Sequence, residues 1–420
     1  MSPTGLPFTW GVDFAARRGD TIYCAILTLC SALLLLAIAG AAQIGAAPTT
    51  AFAFCGAFVI HMIEKGASRR EVVAAVVSGA AFGTIYVWRH NPTSDFAGST
   101  IGIPGAFLGM GSLFVLVSRW IWTRTPEKPV QFDRLRDAAL VPLLRVVSVV
   151  AIAAVADVTP ITWDSVLYAF DTKFGGAPSW TVGRWFEVVP LLRKLCAQVY
   201  NSLPVVLAAG IALQNRDRNK GSVVLADFRW LVVSLGAIGF LLYQLCPAAG
   251  PAFLFVKQFP NQIPHLSAMD IRPAPLAPFA RNGMPSLHAG WVLLLYWNFA
   301  RRGPWFRIGT ILYLLLTVLA TLGLGEHYLI DLVVAPAVAL AIQAACTRTK
   351  SPSRWAAIAA GSGLTLAWLI AFRTGVASLA PPGLITWTLG AVTVLVPLII
   401  EMQLPRFPHG KRAISDRSPN

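Results

Sequence analysis

Two stretches of this chain hold residue types that can do chemistry together: NGMPSLHAG, Asn282 to Gly290, and GEHYLIDLV, Gly325 to Val333. Each sets a histidine, His288 or His327, at the rim of an apolar segment, and one hairpin of two hydrophobic spans separates them. Both histidines therefore return to the same side of a membrane. His327 and Asp331 lie four residues apart, a spacing that puts both on one face of a helix. A carboxylate bonded to one ring nitrogen fixes the tautomer and makes the other nitrogen a better nucleophile or base. The competing reading is a structural His–Asp pair that anchors a helix end. Two histidines and an aspartate meeting at a membrane surface suggest phosphoryl chemistry on a lipid.

The residues around the pair extend that expectation. Asp331 falls about one turn inside an apolar span, where a carboxylate needs a partner, and His327 is the obvious one. Glu326 reads as a solvated rim residue. The loop 248–285 opens with CPAAGPAF, passes Lys257 and Arg272-Pro273, and ends at Arg281 before Pro285-Ser286-Leu287-His288. A proline at the first helical position suits a helix start, since its missing N–H would be unpaired anyway. Asn282 or Ser286 can satisfy the free amides, and helix N-termini bind phosphate. The plainer alternative is an interfacial cap with His288 at headgroup level.

Composition sets the class that must position these groups. Hydrophobic residues make up 56% of the chain and charged residues only 13%, far below the roughly 25% charged of a soluble domain. Apolar runs recur at about the length that crosses a bilayer. Twelve spans are expected, over 21–47, 51–63, 72–88, 101–118, 138–156, 188–213, 228–247, 286–300, 308–325, 327–346, 355–372 and 383–402, the first as an uncleaved anchor. The six cysteines lie in or at the ends of these spans, and no group has metal-ligand spacing.

The net charge of +15 is distributed by topology, which speaks against a nucleic-acid partner. Of 34 Lys and Arg residues, 24 fall on one side of the alternating spans and nine on the other. Arg145 sits inside a span, where it is expected to snorkel toward the cytoplasm. The positive-inside rule then puts both termini in the cytoplasm and the two histidines on the extracytoplasmic face.

PSLH followed by a GxHYxxD helix resembles the second and third signature motifs of the type 2 phosphatidic acid phosphatase superfamily. TWDSVLYAFDTKFG, Thr162 to Gly175, and YNSLP, Tyr200 to Pro204, resemble its inositol phosphorylceramide synthase branch. The chain is expected to be an all-α polytopic membrane protein of about twelve helices, and the resemblance implies a six-helix phosphatase-like core over 138–346. Residues 1–137 form a four-helix region of unread role, and 347–420 two helices with a basic tail. Where the superfamily's phosphatases carry Ser-Arg, this chain has Ala320 and Thr321. The synthase branch has threonine there too, which favours a transferase and leaves Arg272, Arg281 and Lys257 as candidate phosphate-binding cations beside Ser286 and Thr321.

The implied mechanism is double displacement. His327, oriented by Asp331, attacks the phosphorus of a phospholipid and forms a phosphohistidine, while His288 shuttles the proton. No cofactor or metal is called for. The partners are the membrane, a phospholipid donor and a lipid or glycolipid acceptor. A bacterial plasma membrane is the expected location. A lipid phosphatase on the same site is the nearest alternative, and a twelve-helix transporter a more distant one.

Overall fold

A computed structural model describes residues 47–404, apart from 65–66, 91–101, 222–223, 225, 268, 277–280 and 349. Eleven of the twelve expected spans fall on described helices; residues 21–46 of the first lie outside them. In chain order these are α1 (Ala47–Ile63), α2 (Arg69–His90), α3 (Gly102–Trp122) and α4 (Lys128–Val158). Two short helices follow, α5 (Asp164–Asp171) and α6 (Pro178–Val188), and then the long α7 (Pro190–Asn219) and α8 (Phe228–Leu245). The series closes with α9 (Leu287–Phe299), α10 (Pro304–Gly323), α11 (Leu329–Cys346), α12 (Pro352–Arg373) and α13 (Leu384–Gln403). Seven described helices are long and apolar enough to cross a membrane. This is an all-α polytopic membrane protein.

Helix α11 is the axis of the bundle. Its sequence, LIDLVVAPAVALAIQAAC, is apolar on every side, the pattern of a helix surrounded by others. Every residue from Ile330 to Ala344 is buried, with α8, α9, α12 and α13 packed around them. The outer helices instead expose large apolar side chains, among them Leu312 and Leu315 on α10, Ile370 on α12, and Leu395 and Ile399 on α13. Exposed apolar surface of that extent suits lipid. On the other flank α1 packs against α3, α4 and α7. A Cβ at Gly109 would stand 1.8 Å from the Phe54 carbonyl oxygen, so a side chain there would push α3 off α1.

One end of the bundle carries a cap built from residues 159–189 and 246–286. Its backbone forms two antiparallel pairs: β1 (Ile161–Thr162) with β3 (Ala274–Pro275), and β2 (Pro247–Ala248) with β4 (Asn282–Gly283). Tyr168, Trp180, Phe255 and Phe259 form an aromatic cluster beneath them, with ring centroids 5.0–5.4 Å apart. The Tyr168 hydroxyl donates to the Pro264 carbonyl at 2.6 Å, and Trp180 Nε1 donates to Gln262 at 2.9 Å. These bonds pin the long 248–285 loop down onto the helix ends.

Candidate functional site

His327 stands in the turn between α10 and α11 rather than on a helix. The N–H groups of Glu326 and His327 both donate to the Thr321 carbonyl, at 3.0 and 3.2 Å, while Gly325 turns the chain at φ 72°. Helix α11 begins at Leu329 with Tyr328 as its N-cap. The expectation of a shared helical face is thus corrected. Asp331 is the third residue of the helix, and its Oδ2 reaches back to the Tyr328 N–H at 3.0 Å and to His327 Nδ1 at 3.1 Å. The same carboxylate that closes the helix N-terminus holds the imidazole. Both side chains are buried.

Two further carboxylates fix this helix end from the cap. Asp171, the last residue of α5, accepts the N–H groups of Leu329 and Ile330 at 2.6 and 3.1 Å, capping α11 from a distant segment. Asp164, at the start of α5, accepts the N–H groups of Ala249 and Gly250 and the Tyr328 hydroxyl. Burial pushes both carboxyls up from their ordinary range, and the donated hydrogen bonds pull the other way. The two aspartates are seven residues apart and so share a face of α5. That spacing is the sequence signal for them.

His288 arrives through α9. This helix starts at Leu287, with Ser286 as N-cap and Pro285 outside it, so the proline does not occupy the first helical position. Nor do the Ser286 or Asn282 side chains cap the helix: Asn282 Nδ2 donates to Glu326 Oε2 at 3.3 Å, and Ser286 makes no side-chain cap bond. Instead the Ser286 N–H donates to the Asp331 carbonyl at 2.9 Å, which joins the two helix starts. Among the described residues, three buried polar atoms at this junction have no hydrogen-bond partner: Ser286 Oγ, Asn282 Oδ1 and Asp331 Oδ1. Buried polar atoms normally have one, so a polar group entering this junction would meet three unused atoms.

The His288 ring stacks on Tyr200 of α7, with centroids 4.0 Å apart and planes 11° from parallel, and meets the edge of Trp291. The Tyr200 hydroxyl in turn bonds the Glu326 carboxyl. Glu326 is therefore not a solvated rim residue. It is half-buried between Tyr200, Asn282 and His327, and burial pushes its carboxyl up, against the pull of His327's charge and the bonds from Asn282 and Tyr200. Sequence reasoning does not single out Tyr200 as a functional residue; its one signal is the YNSLP stretch.

The expected phosphate-binding groups separate into two kinds. Lys257 and Arg272 are exposed on the cap, and among the described residues neither bonds the histidine pair. Arg281 is wholly buried, and its Nη2 donates to the carbonyls of Leu276 and Pro160 at 2.9 and 3.5 Å, holding the cap together. Thr321 is also wholly buried, its hydroxyl turned back onto the carbonyls of Thr317 and Val318, both at 2.9 Å. What Thr321 gives the site is its carbonyl, which holds the His327 turn. Arg145 does not snorkel away either: its Nε donates to Thr50 of α1 at 3.4 Å, and its charge acts on Tyr200 and His288.

A membrane bundle with a buried histidine–aspartate pair and a second histidine at adjoining helix starts agrees with the comparison to known families. Residues 165–345 match the PAP2 superfamily. No curated protein and no solved structure matches the chain. The PAP2-like segment takes in α5 to α11 and thus both histidines, Asp171 and Tyr200; Asp164 stands one residue before it, and α1 to α4 precede it. It supports an activity of the lipid phosphatase or phosphotransferase type.

Proposed function

We propose that this protein is a membrane phosphotransferase that moves a phospho-headgroup, phosphoinositol, from a phospholipid to the hydroxyl of a lipid or sugar-lipid. One observation carries the reading. Asp331 engages His327 Nδ1 at 3.1 Å, which fixes the tautomer and assigns nucleophilic attack to Nε2.

In the first step Nε2 attacks phosphorus and the bond from phosphorus to the diacylglycerol oxygen breaks. His288 gives a proton to that oxygen. In the second step His288 takes the proton of the acceptor hydroxyl, the acceptor oxygen attacks phosphorus, and the P–N bond breaks. That Ser286 Oγ is buried and without a partner among the described residues supports a role for it in bonding a phosphoryl oxygen. Preorganised donors of this kind stabilise charge that develops in the transition state. The excess of Lys and Arg at the opposite end of the bundle supports an extracytoplasmic site, in a bacterial plasma membrane.

Transfer is favoured over hydrolysis by Thr321. Phosphatases of the superfamily carry an arginine at this position, and here the side chain is spent on backbone carbonyls. The test is to give purified protein headgroup-labelled phosphatidylinositol with and without ceramide, diacylglycerol or a glycolipid. Label should appear in a new lipid only when an acceptor is present, and His327→Ala should abolish it. Release of inositol phosphate alone would favour the hydrolase, and activity surviving in His327→Ala would discard the site.

A further inference from the structure

Arg281, the wholly buried cation of the cap, holds two of its carbonyls, and among the described residues the exposed Lys257 and Arg272 make no bond to the histidines, which raises the question of what else meets the substrate's phosphate charge. Arg145 belongs to α4, which precedes the PAP2-like segment. Its place in α4 is 13 residues from the Val158 end, about 20 Å along a helix. Tyr200 lies ten residues below the start of α7 at Pro190, about 15 Å along. Both residues thus lie several turns inside their helices.

Local contacts bring them together. Arg145 Nε donates to Thr50 Oγ1 at 3.4 Å, and the neighbouring Thr49 hydroxyl donates to Asn201 Oδ1 at 2.8 Å. Thr50 and Thr49 of α1 therefore join Arg145 to the turn of α7 that carries Tyr200. Tyr200 then stacks on His288 and bonds Glu326. An ionised side chain inside a bilayer is costly and is kept where it serves a pathway or a site. Arginine presents several fixed donors that match a phosphate's oxygens.

We propose that Arg145 binds the substrate's phosphodiester from the α7 side of the site, with α1 and α4 forming the wall that holds it. This rests on the phosphotransferase reading. It adds a role for helices outside the PAP2-like segment: they supply the cation that Thr321 does not. A phosphate between the Arg145 guanidinium and His327 would lie beside His288, where the leaving oxygen needs its proton.

Binding, rather than turnover, separates this proposal from the reaction. Full-length protein carrying His327→Ala is titrated with dihexanoyl phosphatidylinositol and, separately, with uncharged dihexanoylglycerol, read by tryptophan fluorescence. Adding Arg145→Met should weaken the charged lipid about tenfold or more, the scale of one charge-assisted contact, and leave the uncharged lipid unchanged. Methionine removes the buried charge without a new polar group, so the helix is not penalised. Should it not be recovered, Arg145→Gln is read the same way. Equal affinities of the arginine and substituted proteins for phosphatidylinositol would overturn the role of Arg145. Failure of wild-type protein to transfer label would instead count against the phosphotransferase.

Discussion

The amide of Ser286 donates to the main-chain carbonyl of Asp331 at 2.9 Å. This one bond links the N-cap of α9 to the first turn of α11. His288 lies two residues beyond Ser286, and the Asp331 side chain holds His327, so this contact ties together the two chain segments that carry the imidazoles. Because it is made by backbone groups, it does not depend on either side chain. The two helix starts are joined by backbone, and the rings are then oriented by Tyr200 on one side and Asp331 on the other.

Asp331 has two duties, and a conservative change separates them. Asp331→Asn keeps an oxygen for the Tyr328 N–H, so the helix start should survive and the unfolding temperature should barely move. It removes the charge that holds the His327 tautomer. Headgroup transfer should fall about a thousandfold or more, approaching the scale known for neutralising the carboxylate behind a catalytic histidine, with the loss in kcat rather than KM. Activity within a few-fold of the parent would leave Asp331 with only its capping role.

Asp171 predicts the opposite balance. Asp171→Ala leaves the buried amides of Leu329 and Ile330 without their acceptor, at about 1–3 kcal/mol for each unsatisfied donor. Thermal unfolding in detergent should shift down clearly, and transfer should weaken because the His327 turn sits on the same helix start. Asp171→Asn, which keeps one acceptor oxygen, should fall between. An alanine variant as stable as the parent would refute the cap.

The spans of this protein are legible in its sequence because apolar runs of bilayer length admit few alternatives, and eleven of the twelve coincide with described helices. The His327–Asp331 contact is legible as a spacing, but its cause is not. It arises from a helix N-cap, since Gly325 turns the chain and Thr321 collects two amides before Leu329 starts the helix. Tyr200 and Arg145 are opaque because their meaning comes from neighbours distant in sequence: Tyr200 meets His288 across 88 residues (200 to 288 in the numbering). Glu326 misleads for the same reason, since a charged residue beside a span end looks solvated until Tyr200 and Asn282 are placed against it.

Thr321 offers a test of backbone against side chain. Among the described residues its hydroxyl bonds α10 carbonyls while its carbonyl serves His327. Thr321→Val should therefore cost about 0.5–1.5 kcal/mol for the lost hydrogen bonding and leave transfer within a few-fold. Thr321→Arg must put a guanidinium where the side chain is wholly buried. It should destabilise the protein strongly and should not create phosphate release. A stable Thr321→Arg protein that releases inorganic phosphate from phosphatidic acid would show that the position still faces the substrate.

Glu326 gives a pH dependence with a defined sign. Burial raises its carboxyl above the ordinary value of 4.5, so the folded protein holds this proton to higher pH than the unfolded chain does. Below about pH 4 both states are protonated and the group contributes no difference. As pH rises from about 4.5 through the folded value, the unfolded chain ionises first and stability is lost. The Glu326→Gln variant cannot ionise at this position. It should match the parent's unfolding temperature at about pH 4 and exceed it at about pH 8, where the parent carries the full penalty. Other raised carboxyls, such as Asp164 and Asp171, are common to both proteins and cancel in the comparison. A Glu326→Gln protein that loses stability relative to the parent as pH rises would mean that Glu326 is held ionised by His327, with the electrostatic pull of the imidazole outweighing burial.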